Sequence, residues 1–360
     1  MHLKALSLKN FRNISDLSLS FHPQFNILVG DNAQGKTNII EAIYLLSFGK
    51  SFRVQDYKDL VRWEQKESFI RAWVWNEIGE EERSIHLNEE KKEFYKNGKT
   101  ASANQFLAMP LVLFAPESIL LLKESPQERR DYVDQIISTS HPVYAKKLRD
   151  YKKALSQRNK VLKEDTLSRE ERQSQAELWE GPLIENGRHL IEQRKEWLNQ
   201  FNPFLEKNYI SVAGKEKTAV FDYAPNVEAE LFTTQQQARR EEELDRGMSL
   251  VGPHRDDFIP ALNQQPIKHF GSQGELRTFT LALKLAEIEF LEATLGVSPF
   301  LLLDDVVSEL DERRSRFFFD HLKNFKGQIF ATATSFDLFP KAALKEHQKW
   351  ELKNGVAHPF

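Results

Sequence analysis

The sequence predicts an α/β fold carrying an inserted, mainly helical second lobe, and three observations predict it. A run fit for a buried strand, Phe25–Val29, passes through the glycine-containing string Gly30–Thr37 into a helical pattern. A second wholly apolar run, Phe300–Leu303, ends in the paired carboxylates Asp304 and Asp305. Between them, over residues 125–204, the chain turns charge-rich at helical spacing.

Taken in order, Leu6 and Leu8, then Leu17, Leu19 and Phe21, alternate with polar residues at the strand period. Ile39, Ala42, Ile43 and Leu46 follow the glycine string at helical spacing. Strands are expected at Phe69–Trp75, Arg83–Leu87 and Leu111–Phe114. Asn97-Gly98, between Phe94-Tyr95 and Lys99-Thr100, predicts a tight hairpin, because a type I′ turn needs positive φ at both central residues. The charge-rich stretch is interrupted by polar, acidic residues over 164–175, and mixed-charge helices of this kind are more often solvated arms than catalytic cores. Residues 212–246 are weakly patterned and receive no assignment. A helix over 274–294 and strands over 300–303 and 328–333 complete the series. There is no internal repeat, low-complexity tract or long heptad run. These patterns divide the chain into one lobe of residues 1–118 and 297–360 and a largely helical lobe of residues 119–296.

At 360 residues and 40% hydrophobic, the chain can bury substantial cores. A formal net charge of -3 gives no global attraction to nucleic acid, so a polyanion surface must be a local patch. With no cysteine, disulfides, thiolate zinc sites and cysteine nucleophiles are excluded, which suits a reducing compartment. The opening Met1-His2-Leu3-Lys4 lacks an unbroken apolar core, and no uncharged apolar run is long enough to span a bilayer. The expectation is a cytoplasmic protein without a signal peptide or a membrane partner.

Gly30-Asp31-Asn32-Ala33-Gln34-Gly35-Lys36-Thr37 fits G-x-x-x-x-G-K-[ST] at every fixed position. Its glycines let backbone N–H groups turn inward around a β-phosphate, and the following helix turns its positive end the same way. Lys36 is expected to reach the β- and γ-phosphates of ATP and the Thr37 hydroxyl to ligate Mg²⁺. Asp304 is the expected second magnesium anchor, and Asp305 the group that orients or deprotonates the attacking water. Alone, that acidic pair would read equally well as a buried strand running into a turn.

Ser272-Gln273-Gly274-Glu275 opens a helix upstream of the acidic pair and resembles the ABC signature motif; Ser308-Glu309-Leu310-Asp311 resembles the ABC D-loop. The resemblance implies that Ser272, Gln273, Gly274, Glu275 and Asp311 meet the nucleotide bound by a second subunit, with a helix N-terminus again aimed at phosphate. A plain serine capping box with Glu275 at N3 would produce the same helix without any partner.

Further strings are spread along the chain: Leu8-Lys9-Asn10-Phe11-Arg12-Asn13, Phe114-Ala115-Pro116-Glu117, Ser125-Pro126 with Arg129-Arg130 and Val133-Asp134, Leu155-Ser156-Gln157-Arg158-Asn159, and Gly252-Pro253-His254-Arg255-Asp256-Asp257. With Asn32 in the loop, they resemble the RecF family of bacterial DNA-repair ATPases. The resemblance implies an ABC-ATPase head with a split sheet, a helical lobe holding the signature, and no long coiled coil. It also implies that Arg12 reaches the phosphates and that the chain forms an ATP-dependent homodimer on gapped or duplex DNA, released by slow hydrolysis. RecR and RecO are the implied partners in loading recombinase, in support of repair, replication and the SOS response. Asp305 stands where SMC relatives usually carry glutamate, one methylene longer, which fits slow turnover. No Q-loop glutamine or switch histidine is evident, and Thr334 stands nearest the switch position. His254 and Arg255 read as phosphate ligands or, in preference, as a polar loop packed on the signature helix.

Lys146, Lys147, Arg149, Lys152 and Lys153, with Arg158, Lys160 and Lys163 beyond, are opposed only by Asp150, and Tyr144 and Tyr151 are interleaved. Their spacing shares a helix face and predicts salt-sensitive, sequence-independent contact with DNA phosphates, although a solvated helix would look alike. The rival reading is the ATPase subunit of a membrane transporter. Such chains share the nucleotide motifs but end their signature in Gly-Gly-Gln and lack the Gly252–Asp257 string. A purely structural SMC-like head would need coiled-coil arms longer than the inserted stretch provides, and a P-loop small-molecule kinase would lack the signature.

Overall fold

The computed structural model describes residues 1–102, 106, 109–214, 217–339 and 347–359. Two compact units emerge, Met1–Ser118 with Leu291–Phe360, and Ile119–Phe290.

The first unit begins with β1 (His2–Phe11), β2 (Ile14–Ser20), β3 (Phe25–Val29) and α1 (Lys36–Phe48). It continues through β4 (Glu67–Asn76), β5 (Gly79–Asn88), β6 (Lys92–Lys96), β7 (Lys99–Ala101) and β8 (Leu111–Phe114). Asn97 and Gly98 turn β6 into β7 with φ 49° and 71°, the left-handed pair that the Asn-Gly signal predicts.

The second unit opens with α2 (Pro126–Ser140), α3 (Pro142–Leu162), α4 (Arg169–Glu177) and α5 (Glu180–Ala213). The polar interruption becomes a turn followed by α4, which starts on a capping box formed by Ser168 and Glu171. Helix α5 runs 34 residues through Pro203, past the limit at 204 that the sequence pattern suggests, and stops at Gly214 in the left-handed conformation. The unassigned stretch resolves into β9 (Ala219–Ala224), α6 (Phe232–Ala238) and α7 (Arg240–Arg246). A small antiparallel sheet joins β9 to β10 (Asp257–Leu262) and β11 (Gln265–Pro266). Then α8 (Ile267–Phe270) leads into α9 (Gln273–Leu295), and the division between the units falls inside α9.

The chain completes the first unit with β12 (Phe300–Leu303), α10 (Val306–Glu309), α11 (Glu312–Leu322), β13 (Ile329–Ala333), β14 (His347–Lys353) and β15 (Val356–Pro359). This unit holds two six-stranded sheets. One is antiparallel, in the order β2-β1-β4-β5-β6-β7; the other, β15-β14-β3-β13-β12-β8, is parallel from β14 to β8. Helix α1 packs on β5 of the first sheet and on β13 and β8 of the second. The spacing of Ile39, Ala42, Ile43 and Leu46 marks one buried stripe, whereas the structure also buries Ile40 and Leu45 completely. A helix enclosed between two sheets has no solvent face to keep polar. Parallel strands covered on both faces likewise read as continuous apolar runs, as Phe300–Leu303 does. Among the described residues no helix is long and apolar enough to cross a membrane.

Candidate nucleotide site and nucleic-acid face

Strand β3 lies inside the parallel sheet, between β14 and β13, and the glycine string leaves its carboxyl end. Gly30, Ala33 and Gly35 take φ values of 154°, 65° and 103°. A side chain on Gly30 would meet the Leu352 carbonyl oxygen at 2.4 Å, and one on Gly35 would meet Asn13 Oδ1 at 3.2 Å. Glycine is therefore demanded by close neighbours as well as by backbone conformation. Lys36 is buried and folds back over the loop, donating to the carbonyls of Gly30 (2.7 Å) and Asp31 (2.9 Å). Asn13 Nδ2 donates to the Ala33 carbonyl at 3.1 Å and Gln34 accepts from the Asn354 amide, so the loop is tied down on two sides. Asp31, Asn32 and Ala33 remain exposed at its mouth.

Beneath the loop, the Thr37 hydroxyl donates to Asp304 Oδ1 at 2.9 Å, and the Thr332 hydroxyl donates to the same oxygen at 2.7 Å. Asp304 is buried. Burial pushes its carboxyl above the usual aspartate range, the two hydroxyl bonds pull it down, and Asp305 and Glu117 push it up again. No lysine or arginine pairs with Asp304 among the described residues. A desolvated carboxylate beside an alcohol, with no cation to offset it, is the donor set that a hard divalent ion completes. Magnesium is commonly held through one or two protein oxygens, with phosphate and water supplying the rest. Among the described residues no cluster of three or more His, Cys, Asp or Glu could hold a metal ion.

Asp305 follows in the left-handed region, φ 49°, and its amide donates to Thr332 Oγ1 at 2.9 Å. Thr332 thus touches both acidic residues, while Thr334 lies exposed beyond β13. No motif announces Thr332; it is one β-branched residue in a buried strand. Glu117, after β8, acts electrostatically on Asp304 from the neighbouring strand end. Of the D-loop string, the side chains of Ser308 and Glu309 lie outside the described residues. Asp311 caps α11, accepting from the Arg314 amide at 2.9 Å and pairing with the Arg314 guanidinium.

Arg12 stands at the end of β1 with φ 55°. Its guanidinium grips Glu41 of α1 with two bonds (2.8 and 2.6 Å) and donates to the Asp59 carbonyl at 3.0 Å. Glu41 is fully buried and also accepts from the Ser51 hydroxyl. Arg12 is thereby held on the flank of the loop by a carboxylate that no motif singles out.

In the second unit, Ser272, Gln273 and Gly274 are exposed at the start of α9. The Ser272 amide and hydroxyl donate to Glu275 Oε2 (2.9 and 2.8 Å), and the Glu275 amide donates back to Ser272 Oγ at 3.3 Å. This is a capping box. Lys217 Nζ donates to the other oxygen, Glu275 Oε1, at 2.6 Å.

The Gly252–Asp257 string forms a hub of the same unit, with Gly252, Pro253 and Asp256 buried and Arg255 exposed. Arg194 of α5 donates to the Pro253 carbonyl, Asp256 Oδ2 and Asp134 Oδ1, each at 2.8 Å. Arg129 of α2 makes a two-bond contact with Asp257 (2.8 and 2.9 Å), and Tyr151 meets His254 Nδ1 at 2.6 Å. Burial drives His254 down to about 4, so it is neutral near pH 7. Arg255 donates to the Ser249 carbonyl at 3.2 and 3.1 Å. These partners of the string therefore lie on α2, α3, α5 and the Ser249 turn rather than on the signature helix, and Arg255 stays exposed beside the Ser249 carbonyl.

Helix α3 carries the predicted basic residues, but the structure sorts them. Lys146, Arg149, Lys153 and Lys160, with Lys163 at the cap, are exposed. Lys147 pairs with Glu185 at 2.6 Å and Lys152 with Asp131 at 3.6 Å. Two expectations need correction. Tyr144 and Tyr151 are buried rather than interleaved on the surface, and Arg158 is 1% exposed and pairs with Glu243 at 2.7 Å. All three fall on the stripe of α3, with Ala154 and Leu162, that packs inward.

The model describing the RecF/RecN/SMC N-terminal domain matches residues 2–353. The DNA replication and repair protein RecF of Halalkalibacterium halodurans is 36% identical over 368 residues, 99% of this chain and 98% of its own. The chain belongs to the RecF family. A second RecF relative, from Bacillus cytotoxicus, is 35% identical over 375 residues, again 99% of this chain and 98% of its own. Among solved structures, the recombination mediator protein RecF-ATP of the RecFOR pathway superposes with a TM-score of 0.87 at 30% identity, over 100% of this chain and 97% of that one. The head domain of an Smc protein from Pyrococcus furiosus, at 18% identity, matches with a TM-score of 0.59 over 100% of this chain and 96% of that one, which speaks for the fold alone. The fold is thus that of RecF and SMC head ATPases, and RecF membership leaves the transporter alternative without support.

Proposed function

We propose that this chain is an ATP-binding, slowly hydrolysing, DNA-binding protein of recombinational repair, acting as an ATP-dependent homodimer in the cytoplasm. The observation that carries the proposal is the Thr37–Asp304 contact beneath a loop closed by Lys36. Thr37 and Asp304 would hold Mg²⁺, which would supply positive charge to offset that of the phosphates. Lys36 exchanges its two loop carbonyls for the β- and γ-phosphates, and the amides over residues 30–37 surround the β-phosphate. Arg12 adds charge at the loop's flank. Asp305, set in a left-handed turn, orients or deprotonates the attacking water. The Ser272 hydroxyl and the backbone amides of Gln273, Gly274 and Glu275, with Asp311, all from a second copy, complete the site in trans. In domain terms, residues 1–118 and 297–360 bind the nucleotide, and residues 119–296 bring the signature and the basic arm.

DNA would lie along α3, contacted without sequence preference through Lys146, Arg149 and Lys153, and to a lesser degree through Lys147 and Lys152. RecR, and with it RecO, are the proposed partners in loading recombinase at gaps, in support of replication and the SOS response. RecF relatives named for DNA replication and repair support this reading. ATP turnover measured with and without gapped DNA tests it. Turnover should rise with DNA, vanish in Lys36→Ala and slow in Asp305→Asn. Turnover indifferent to DNA and to both substitutions would remove it.

A further inference from the structure

We infer that Lys217 is a further positioning residue of the shared nucleotide site, offsetting Glu275 so that the start of α9 can accept a triphosphate held by a second copy of the chain. The inference rests on the composite-dimer reading above.

Glu275 is the N3 acid of a capping box, a place where a carboxylate helps its own helix. It also sets a full negative charge on the turn that must face a polyphosphate. The helix terminus supplies only about half a positive charge. Of the helix terminus and Glu275 alone, the balance is negative and repels the anion; Lys217 Nζ, 2.6 Å from Glu275 Oε1, turns that local balance positive. Glu275 cannot shed its charge instead. Its carboxyl is held down to about 2, first by the Lys217 bond and then by those from Ser272.

The lysine is anchored from behind. The amide of the next residue, Thr218, donates to Asn263 Oδ1 at 3.0 Å, and the Asn263 amide donates to the Thr218 carbonyl at 2.8 Å. The base of Lys217 is thus fixed to the turn that follows β10, while its side chain stays 34% exposed and that of Glu275 30%. An ion pair so open to solvent adds little to fold stability. That leaves the local field as its main effect.

The test compares the parent, Lys217→Gln, Lys217→Arg and Lys217→Gln/Glu275→Gln by light scattering in magnesium and ATP, with ATP affinity and melting temperature read in parallel. Glutamine at N3 preserves the capping box. Lys217→Gln should weaken dimerisation roughly tenfold per site, hence on the order of a hundredfold for two sites if they act independently. Monomer ATP affinity and melting should be unchanged, and the loss should shrink in high salt. Lys217→Arg should restore the dimer, and the double variant should recover most of the loss. If Lys217→Gln dimerises like the parent, or if the double variant stays as weak as the single one, the inference is overturned while the composite site stands. A loss matched by an equal fall in melting temperature overturns it in favour of a structural role. A parent that stays monomeric overturns both.

Discussion

Replacing Asp304 by asparagine separates what the nucleotide site needs from what the fold needs. In the free chain Asp304 is a buried carboxylate whose hydrogen bonds come from the hydroxyls of Thr37 and Thr332. Burial raises its pKa above 3.8, so the native chain holds this proton more tightly than the unfolded chain does. Stability contributed by the protonated group is therefore present below the ordinary aspartate value and is lost as pH rises through the raised one. Asparagine keeps an acceptor oxygen and carries no charge to desolvate. The nucleotide-free variant should match or exceed the parent at pH 8, by on the order of 1 kcal/mol, and the gain should shrink as the pH falls toward the raised value. Ligand linkage should run the other way. Magnesium and ATP at a hundred times Kd stabilise the parent by about 2.7 kcal/mol, roughly 5–10 °C for a unit of this size. That shift should nearly vanish in Asp304→Asn. Thermal melting of both proteins at pH 5 and pH 8, with and without magnesium and ATP, reads both effects. A nucleotide-free variant that melts well below the parent at pH 8, or one that keeps the ATP shift, would refute the assignment of this carboxylate to the metal.

Arg194→Met should cost about 3–5 kcal/mol, because it strands Asp134 and Asp256 in a buried site; urea unfolding followed through buried Trp197 measures it, and a loss under about 1 kcal/mol would contradict the hub. Neutralising Lys146, Arg149 and Lys153 should weaken duplex DNA binding and flatten its salt slope by about 0.9 per lost phosphate contact. Neutralising Lys147 and Lys152, already paired with acids, should do less, and equal effects would place the DNA elsewhere.

What was legible in the sequence is what is local. The strand, glycine loop and helix from Phe25 to Phe48 form one contiguous unit, and so does the apolar run ending at Asp304. Asn97-Gly98 encodes its turn in two residues. The remainder depends on contacts distant in sequence. Thr332 earns its place only because β13 lies beside β12, and Glu41 only because α1 passes the end of β1. Arg194 looks like any charged residue of a long helix until Asp134 and Asp256 close around it. The basic arm shows the converse. Composition marks a cluster, but only the inward face of α3 tells which cations remain for a ligand, since Arg158 and the two tyrosines point into the unit.

Light scattering on the chain with magnesium and ATP, with ADP, and on Ser272→Arg with magnesium and ATP, each with and without gapped DNA, asks most directly whether one nucleotide joins two copies. A dimer should form with ATP alone among these, more readily on DNA. A chain that stays monomeric when saturated with ATP beside DNA, or a Ser272→Arg variant that pairs as well as the parent, would contradict a shared site.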